Sequence, residues 1–223
     1  MSSIEKKVEP TGGRPVNPAL RRPFDGTETW YEQVYTHAGE DVNKVPWARR
    51  NNTPLLLPWL DGQSMRGRRT LVVGCGLGDD AEALAERDLA VTAFDIAPSA
   101  IDWCRRRFPA STVDYQVADL FHLPADFQRG FEFVFEALTI QSMPPRMHAD
   151  AMEAIAACVA PGGTLLIICY GRQPGEPTDG PPWHLTRGEL EQFRQLGLQE
   201  VRFEEHMEGG TPLFLAEYSR AAL

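Results

Sequence analysis

Short apolar runs that alternate with helical stretches constrain the fold of this chain more than any other feature. The runs are 71–73, 91–94, 113–117, 131–135 and 164–169. Between them, apolar residues recur at i, i+3 and i+4, the spacing of an amphipathic helix. Strands separated by helices pair in parallel through right-handed crossovers, so the alternation predicts an α/β sheet with helices on both faces.

Two last strands, near 199–206 and 212–219, are separated by a short turn at Gly209 and Gly210. This connection leaves no room for a crossover helix, so we expect the two strands to pair in antiparallel. The sequence therefore predicts a doubly wound, Rossmann-like sheet of about seven strands, mostly parallel and with an antiparallel last strand.

Local signals predict where two of the helices begin or end. The first is a helix over 146–159, which we expect Pro161 and the following glycines to end before the next strand. The second begins at Thr186, which forms a capping box with Glu189. Its apolar face would consist of Leu190, Phe193 and Leu196.

Composition narrows the class of protein. The chain has 223 residues and a net charge of −9, which argues against nucleic acid or an anionic membrane as a partner. No apolar run approaches the roughly 18 residues that cross a bilayer, and no signal peptide is evident. The four cysteines lie far apart without histidines at ligand spacing, so we expect a cytoplasmic protein with reduced thiols and no metal site.

The chain divides into a tail and one domain. Residues 1–23 are rich in Pro, Gly and charge, which predicts a mobile N-terminal tail. Residues 24–223 form a single domain, of which 24–65 would be an aromatic lid or cap segment. The sequence contains no heptad repeat that would indicate an oligomeric state.

The turn after the first strand carries the clearest functional signal. Gly74, Gly76 and Gly78 follow the strand and open a helix, which lets a ligand approach bare main chain. Asp95 lies 21 residues after Gly74, at the tip of the second strand, where a carboxylate can accept both hydroxyls of a ribose. The turn therefore predicts a nucleoside-containing ligand.

The acidic residues of the turn narrow the choice of nucleoside. A dinucleotide motif requires glycine at its sixth position, but Asp79 stands there and would repel a pyrophosphate. An acidic turn suits a ligand with positive charge, such as the ammonium and sulfonium of S-adenosylmethionine (SAM). The competing interpretation is that Asp79 and Asp80 act at the helix N-terminus, and for Asp80 we favour a cap.

Four segments, in order, resemble the class I SAM-dependent methyltransferases: LVVGCGLGDDAEALAERDLAVTAFDIAPSAI, VADL, FEFVFEALTIQSMPP and APGGTLL. More narrowly, the chain resembles the thiopurine S-methyltransferase-like branch. That resemblance rests on a Trp-containing N-terminal segment, PW and then NTP before the first strand, GCGLGDDA, and GPPWHLTRGEL. It covers roughly residues 24–220.

The resemblance implies which residues hold SAM. Gly74, Cys75 and Gly76 would pass under its amino-acid end. Asp95 would hold the ribose hydroxyls, and Ile96 would pack on the adenine.

Further cofactor residues follow the third and fourth strands. Asp119 would take the adenine amino group, with Ala118 and Leu120 beside it. Glu136 or Ala137 would face the methionine part.

Aromatic residues complete the implied site. Trp30 and Trp47 match positions that cover the cofactor in this branch. Tyr31, Tyr35 and Trp183 would build a closed, apolar pocket for the acceptor.

The implied reaction moves a methyl group from SAM to a thiol or hydroxyl of a small molecule by in-line displacement, releasing S-adenosylhomocysteine. A thiol needs little help because its thiolate forms near neutral pH, whereas a hydroxyl gains from a general base. We place His184 first among candidate bases and Glu136 beside it, with His37 and His148 as further candidates.

Two other functions stay open at this point. The chain could be a non-catalytic SAM-binding sensor or partner subunit, since the same motifs would serve either role. An NAD-dependent reductase is disfavoured by Asp79 and by the lack of an obvious Tyr-x-x-x-Lys pair.

Overall fold

The computed structural model describes residues 28–49, 52–178 and 180–222. The predicted tail over 1–23 lies outside these residues. Within them, one sheet has the strand order β3-β2-β1-β4-β5-β7-β6. The strands are β1 Arg69–Val73, β2 Ala90–Asp95, β3 Asp114–Val117, β4 Phe131–Ala137, β5 Val159–Tyr170, β6 Leu198–Glu208 and β7 Thr211–Arg220.

Strand direction confirms the predicted fold class. Strands β1 to β5 are parallel, and β7 lies antiparallel between β5 and β6. The chain runs outward from β1 through β2 to β3, then returns to pair β4 with β1. The carboxyl ends of β1 and β4 therefore flank the point where strand order reverses, which is where ligands bind in open α/β sheets.

Helices cover both faces of the sheet. Successive residues of β1 point to opposite faces, so Leu71 and Val73 join one apolar cluster and Val72 joins the other. Met152 packs into the first cluster and Ile101 into the second. The helices are α1 Glu28–Ala38, α2 Leu56–Leu60, α3 Asp79–Ala85, α4 Pro98–Arg107, α5 His148–Cys158, α6 Arg187–Leu190 and α7 Gln192–Gln195. None of the described helices is both long and apolar enough to cross a membrane.

The predicted role of the Pro-Gly-Gly run as a helix end is wrong. The helix predicted over 146–159 ends at Cys158, and the Pro-Gly-Gly run at 161–163 lies inside β5. The pairing register between β4 and β5 shifts across this run, and Gly162 has a φ of 73°. The run therefore forms an irregularity in a strand, a role that glycine serves as readily as a helix end.

The predicted capping box is confirmed. The Glu189 N–H donates to Thr186 Oγ1 at 3.1 Å, and the Thr186 N–H donates to Glu189 Oε2 at 2.7 Å. The predicted single helix is divided into α6 and α7. Leu190 and Phe193 are fully buried as expected, whereas Leu196 is half-buried.

We expect Thr186→Ala to lower the free energy of unfolding by about 1 kcal/mol, because it removes the N-cap acceptor of α6. Thermal unfolding should show a midpoint lower by roughly 2–4 °C. Thr186→Ser keeps the hydroxyl and should retain most of the stability. Equal losses in the two variants would show that the cap contributes nothing.

Candidate active site

A cavity of about 350 Å³ lies at the carboxyl ends of β1, β2 and β4. We call it the glycine-turn cavity, after the turn at 74–78 that forms its floor. Its volume is within the roughly 300–1,000 Å³ of small-molecule sites. The residues predicted to bind the cofactor that line it are Gly74, Cys75, Gly76, Asp95, Ile96, Ala118, Asp119, Leu120, Ala137 and Trp47. Of the three aromatic residues predicted for the acceptor pocket, Tyr31 and Tyr35 line this same cavity and Trp183 does not.

The glycine turn presents main chain to this cavity. Gly74 and Gly76 have φ values of 60° and 54°, a conformation that favours glycine. A Cβ on Gly74 would lie 2.4 Å from Thr139 Oγ1, and one on Gly76 would lie 3.3 Å from Tyr35 Oη. Conformation and space therefore both disfavour a side chain at Gly74, as the motif indicated.

Asp95 fixes the turn from the end of β2. The carboxylate is buried, and Oδ2 accepts the Gly76 N–H at 2.9 Å while Oδ1 accepts the Ala97 N–H at 3.0 Å. Each oxygen keeps a lone pair for a second donor. Burial raises the pKa of Asp95 to about 6, although these backbone donors oppose the shift.

The two carboxylates after the turn have partners within the protein. Asp79 accepts hydrogen bonds from both terminal nitrogens of Arg107, at 2.9 and 2.7 Å. Asp80 accepts from Thr53 N at 2.7 Å and Thr53 Oγ1 at 2.6 Å. The N-cap residue of α3 is Gly78, so the prediction that Asp80 caps this helix is wrong. Both carboxylates nevertheless border the cavity.

The loop after β3 forms the opposite wall. Asp119 Oδ1 accepts the Phe121 N–H at 3.0 Å, and Oδ2 lies 2.7 Å from Nδ1 of His122. Asp119 is therefore a turn residue and a lining residue at once. Phe121, which the sequence analysis missed, also lines the cavity although it is 36% exposed.

Glu136 lies beneath the loop that follows β4 and does not line the cavity. Its Oε1 accepts the Thr139 N–H at 2.6 Å and the Ile140 N–H at 3.0 Å, and the side chain is fully buried. Among the described residues, Oε2 has no hydrogen-bond partner. Burial raises the pKa of Glu136 to about 7, and the two N–H donors oppose the shift. Glu136 therefore positions the loop after β4 through backbone hydrogen bonds and does not face the cavity.

That loop contributes lining residues that the sequence analysis missed. They are Leu138, Thr139, Ser142 and Met143. The signal was the segment LTIQSMPP directly after an apolar strand, because loops at the carboxyl ends of parallel strands carry ligand sites.

His184 and Trp30 also lie outside the glycine-turn cavity. The His184 ring packs beside Tyr170 with 5.5 Å between centroids, and burial lowers its pKa. Trp30 is buried and stacks on Trp47 at 5.8 Å between centroids. Of the two predicted tryptophans, only Trp47 reaches this cavity.

A second cavity of about 860 Å³ adjoins the first. We call it the aromatic cavity, because Trp30, Trp47 and Tyr170 form much of its wall. Four prolines add flat apolar surface: Pro46, Pro54, Pro181 and Pro182. The residues that line both cavities are Trp47, Ala48, Arg49, Leu138 and Ser142.

The described part of the segment before β1 closes one side of both cavities. Glu32 of α1 accepts the Ser99 N–H at 2.9 Å and so satisfies a free donor at the start of α4. Trp47 Nε1 donates to Tyr35 Oη at 2.9 Å, and Tyr31 Oη lies 3.0 Å from the Ser142 hydroxyl. The bonds to Ser99 and Ser142 seat the segment on α4 and on the loop after β4, and the bond between Trp47 and Tyr35 holds two parts of the segment together.

The strand order, the bare glycine turn and the acidic tip of β2 are the features expected of a SAM-dependent methyltransferase, and similarity to known proteins shows that the chain is one. Within that class, the sequence model of the thiopurine S-methyltransferase family matches residues 29–209. The match spans most of the chain, and the protein belongs to this family.

Individual relatives agree with this class. Thiocyanate methyltransferase 1 of Brassica oleracea is 26% identical over 169 residues, covering 73% of this chain and 72% of the relative. A ubiquinone biosynthesis O-methyltransferase of Xanthomonas campestris pv. campestris is 34% identical over 116 residues, covering 50% and 46%. Magnesium protoporphyrin IX methyltransferase of Synechocystis PCC 6803, solved with S-adenosylhomocysteine, shares the fold with a TM-score of 0.69 at 13% identity. That match covers 87% of this chain and 100% of the other.

Glu136→Gln should alter how stability depends on pH. Because the pKa of Glu136 is about 7 in the folded protein and ordinarily 4.5, its contribution to stability is complete below pH 4.5 and is lost as the pH rises through 7. Glutamine cannot lose this proton. We expect the variant to gain about 3 kcal/mol relative to the wild type between pH 4.5 and 8.

Urea unfolding at both pH values measures this gain, with Glu132→Gln on the same strand as the control. A difference between wild type and Glu136→Gln that stays constant with pH would show that burial does not raise this pKa.

Proposed function

We propose that this enzyme transfers the methyl group of SAM to the thiol of a small molecule, with the cofactor in the glycine-turn cavity and the acceptor in the aromatic cavity. The proposal rests on the adjacency of the two cavities, which have five lining residues in common. Adjacent sites are required because the methyl group must pass directly from one ligand to the other. A hydroxyl is the second candidate acceptor, supported by the name of the O-methyltransferase relative.

The residues of the glycine-turn cavity fit SAM. We propose that the bare main chain at Gly74 and Gly76 admits the amino-acid end and that Asp95 accepts the ribose hydroxyls. Asp119 and Ile96 would contact the adenine. Four carboxylates and one guanidinium among the described lining residues give an acidic site, which suits a cofactor with net positive charge.

The cofactor supplies a methyl group on a sulfonium, which the acceptor takes by in-line displacement as S-adenosylhomocysteine leaves. The protein then has to align the two ligands and exclude water. Residues 24–65 are proposed as a cap for this purpose, since Trp47 and Arg49 from this segment line both cavities.

Sulfur is favoured over oxygen because none of the candidate bases lines either cavity; the four candidates are His37, His148, His184 and Glu136. Glu136 holds the loop after β4 through Thr139 and Ile140, and His184 packs beside Tyr170. A thiol reacts as its own thiolate, so it needs no general base. The thiocyanate methyltransferase relative supports sulfur chemistry.

Asp95→Asn should weaken binding of S-adenosylhomocysteine by about 2–3 kcal/mol, because charged hydrogen bonds to the ribose are lost. In the wild type, affinity should fall as the pH drops below 6, where Asp95 becomes protonated. Isothermal titration measures both effects. Asp102→Asn on the exposed face of α4 is the matched control. Wild-type affinity in Asp95→Asn would refute this placement of the cofactor.

With a thiol acceptor, kcat/KM should rise with pH up to the pKa of the free thiol and then level off. We therefore expect His184→Ala to keep kcat within about tenfold of the wild type, less than the 10²–10⁴-fold worth of a general base. Acceptor thiols of different pKa should shift the profile accordingly. If the rise in kcat/KM had the same midpoint pH for every thiol and was absent in His184→Ala, His184 would be identified as a general base.

A further inference from the structure

Arg49, Tyr170 and Glu208 form a closed cluster in the wall of the aromatic cavity. Arg49 Nη1 donates to Glu208 Oε1 at 2.8 Å, and Nη2 donates to Oε2 at 3.0 Å. The Tyr170 hydroxyl accepts from Arg49 Nη2 at 2.6 Å and donates to Glu208 Oε2 at 2.7 Å. The two-pronged pair is the strong form of an arginine–carboxylate interaction.

The pair joins distant parts of the chain and is partly shielded from water. Arg49 belongs to the segment before β1, and Glu208 is the last residue of β6. Their side chains are 25% and 34% exposed. The hydrogen bond from Arg49 lowers the pKa of Glu208, and the bond to Glu208 raises the pKa of Arg49, so both stay charged at neutral pH.

Arg49 and Glu208 are the only charged residues among the described ones that line the aromatic cavity. Their charges cancel, and the rest of this described lining is apolar or carries amides and hydroxyls. An acceptor that carries a carboxylate in addition to its thiol would have to displace Glu208 from Arg49 in order to pair with that cation. That exchange leaves a partly buried carboxylate without its partner, which is costly.

The geometry points to Glu208 as a specificity-determining residue that neutralises Arg49 and thereby restricts the acceptor to thiols that carry no carboxylate or other second anionic group. This inference rests on the proposed function, since it takes the aromatic cavity as the acceptor site. Tyr170 supports the same arrangement by holding both charged groups in place.

Two thiols that differ by one carboxylate test the inference: benzenethiol and 4-sulfanylbenzoate, each with saturating SAM. Wild type should use benzenethiol with a kcat/KM at least tenfold higher. Glu208→Gln leaves the charge of Arg49 unpaired, so this ratio should move at least tenfold toward 4-sulfanylbenzoate through a lower KM. Because Arg49 also lines the glycine-turn cavity, the ratio between the two thiols at saturating SAM is the readout, rather than cofactor affinity.

Three further variants separate charge from structure. Glu208→Gln combined with Arg49→Gln removes the cation and should cancel the shift. Arg49→Gln alone leaves the carboxylate unpaired and should lower the use of 4-sulfanylbenzoate further, a test that holds even if Glu208→Gln fails to fold. Glu205→Gln removes an exposed carboxylate elsewhere on β6 and should not change the ratio.

Titration of benzamide and benzoate in the presence of S-adenosylhomocysteine measures charge preference without any transfer. If neither thiol is methylated but Glu208→Gln gains affinity for benzoate, the proposed function fails and the role of Glu208 stands. If thiols are methylated but neither the ratio nor the benzoate affinity responds to Glu208→Gln or Arg49→Gln, the inference is overturned.

Discussion

The contact between Asp95 and the glycine turn organises the site. Asp95 ends β2 and accepts the Gly76 N–H, so it joins the ends of two neighbouring parallel strands. The turn reaches this position because Gly74 and Gly76 adopt positive φ values. A buried carboxylate held this way costs desolvation, which its backbone donors partly offset. The cavity floor and the starts of α3 and α4 all depend on this junction.

Much of the fold follows from periodicity that the sequence displays. The alternation of strands and helices predicted the parallel sheet, and the short Gly209–Gly210 connection predicted the antiparallel end. The prediction that the run at 161–163 ends a helix was wrong because glycine permits both a helix end and a strand irregularity. Only pairing with β4, a contact between distant residues, decides which one forms.

The sequence predicted those site residues whose location is decided by their place in a motif next to a strand end. Gly74, Asp95 and Asp119 border the cavity because each lies at the end of a strand or just after it. Glu136 also follows from a motif, but its burial beneath the loop depends on backbone donors that no spacing reveals. The pairing of Arg49 with Glu208 joins residues far apart in the chain, and sequence alone gives no sign of it.

The residues that line the aromatic cavity come largely from other segments of the chain than those that form the glycine turn. Most of the cavity lining comes from the segment before β1, the Pro181–Pro182 turn and the strand end at Glu208, all outside the strand–helix unit that builds the glycine turn. Substitutions there leave the junction at Asp95 untouched. With the acceptor in the aromatic cavity, as proposed, one scaffold can exchange acceptors over evolutionary time while its cofactor chemistry stays fixed.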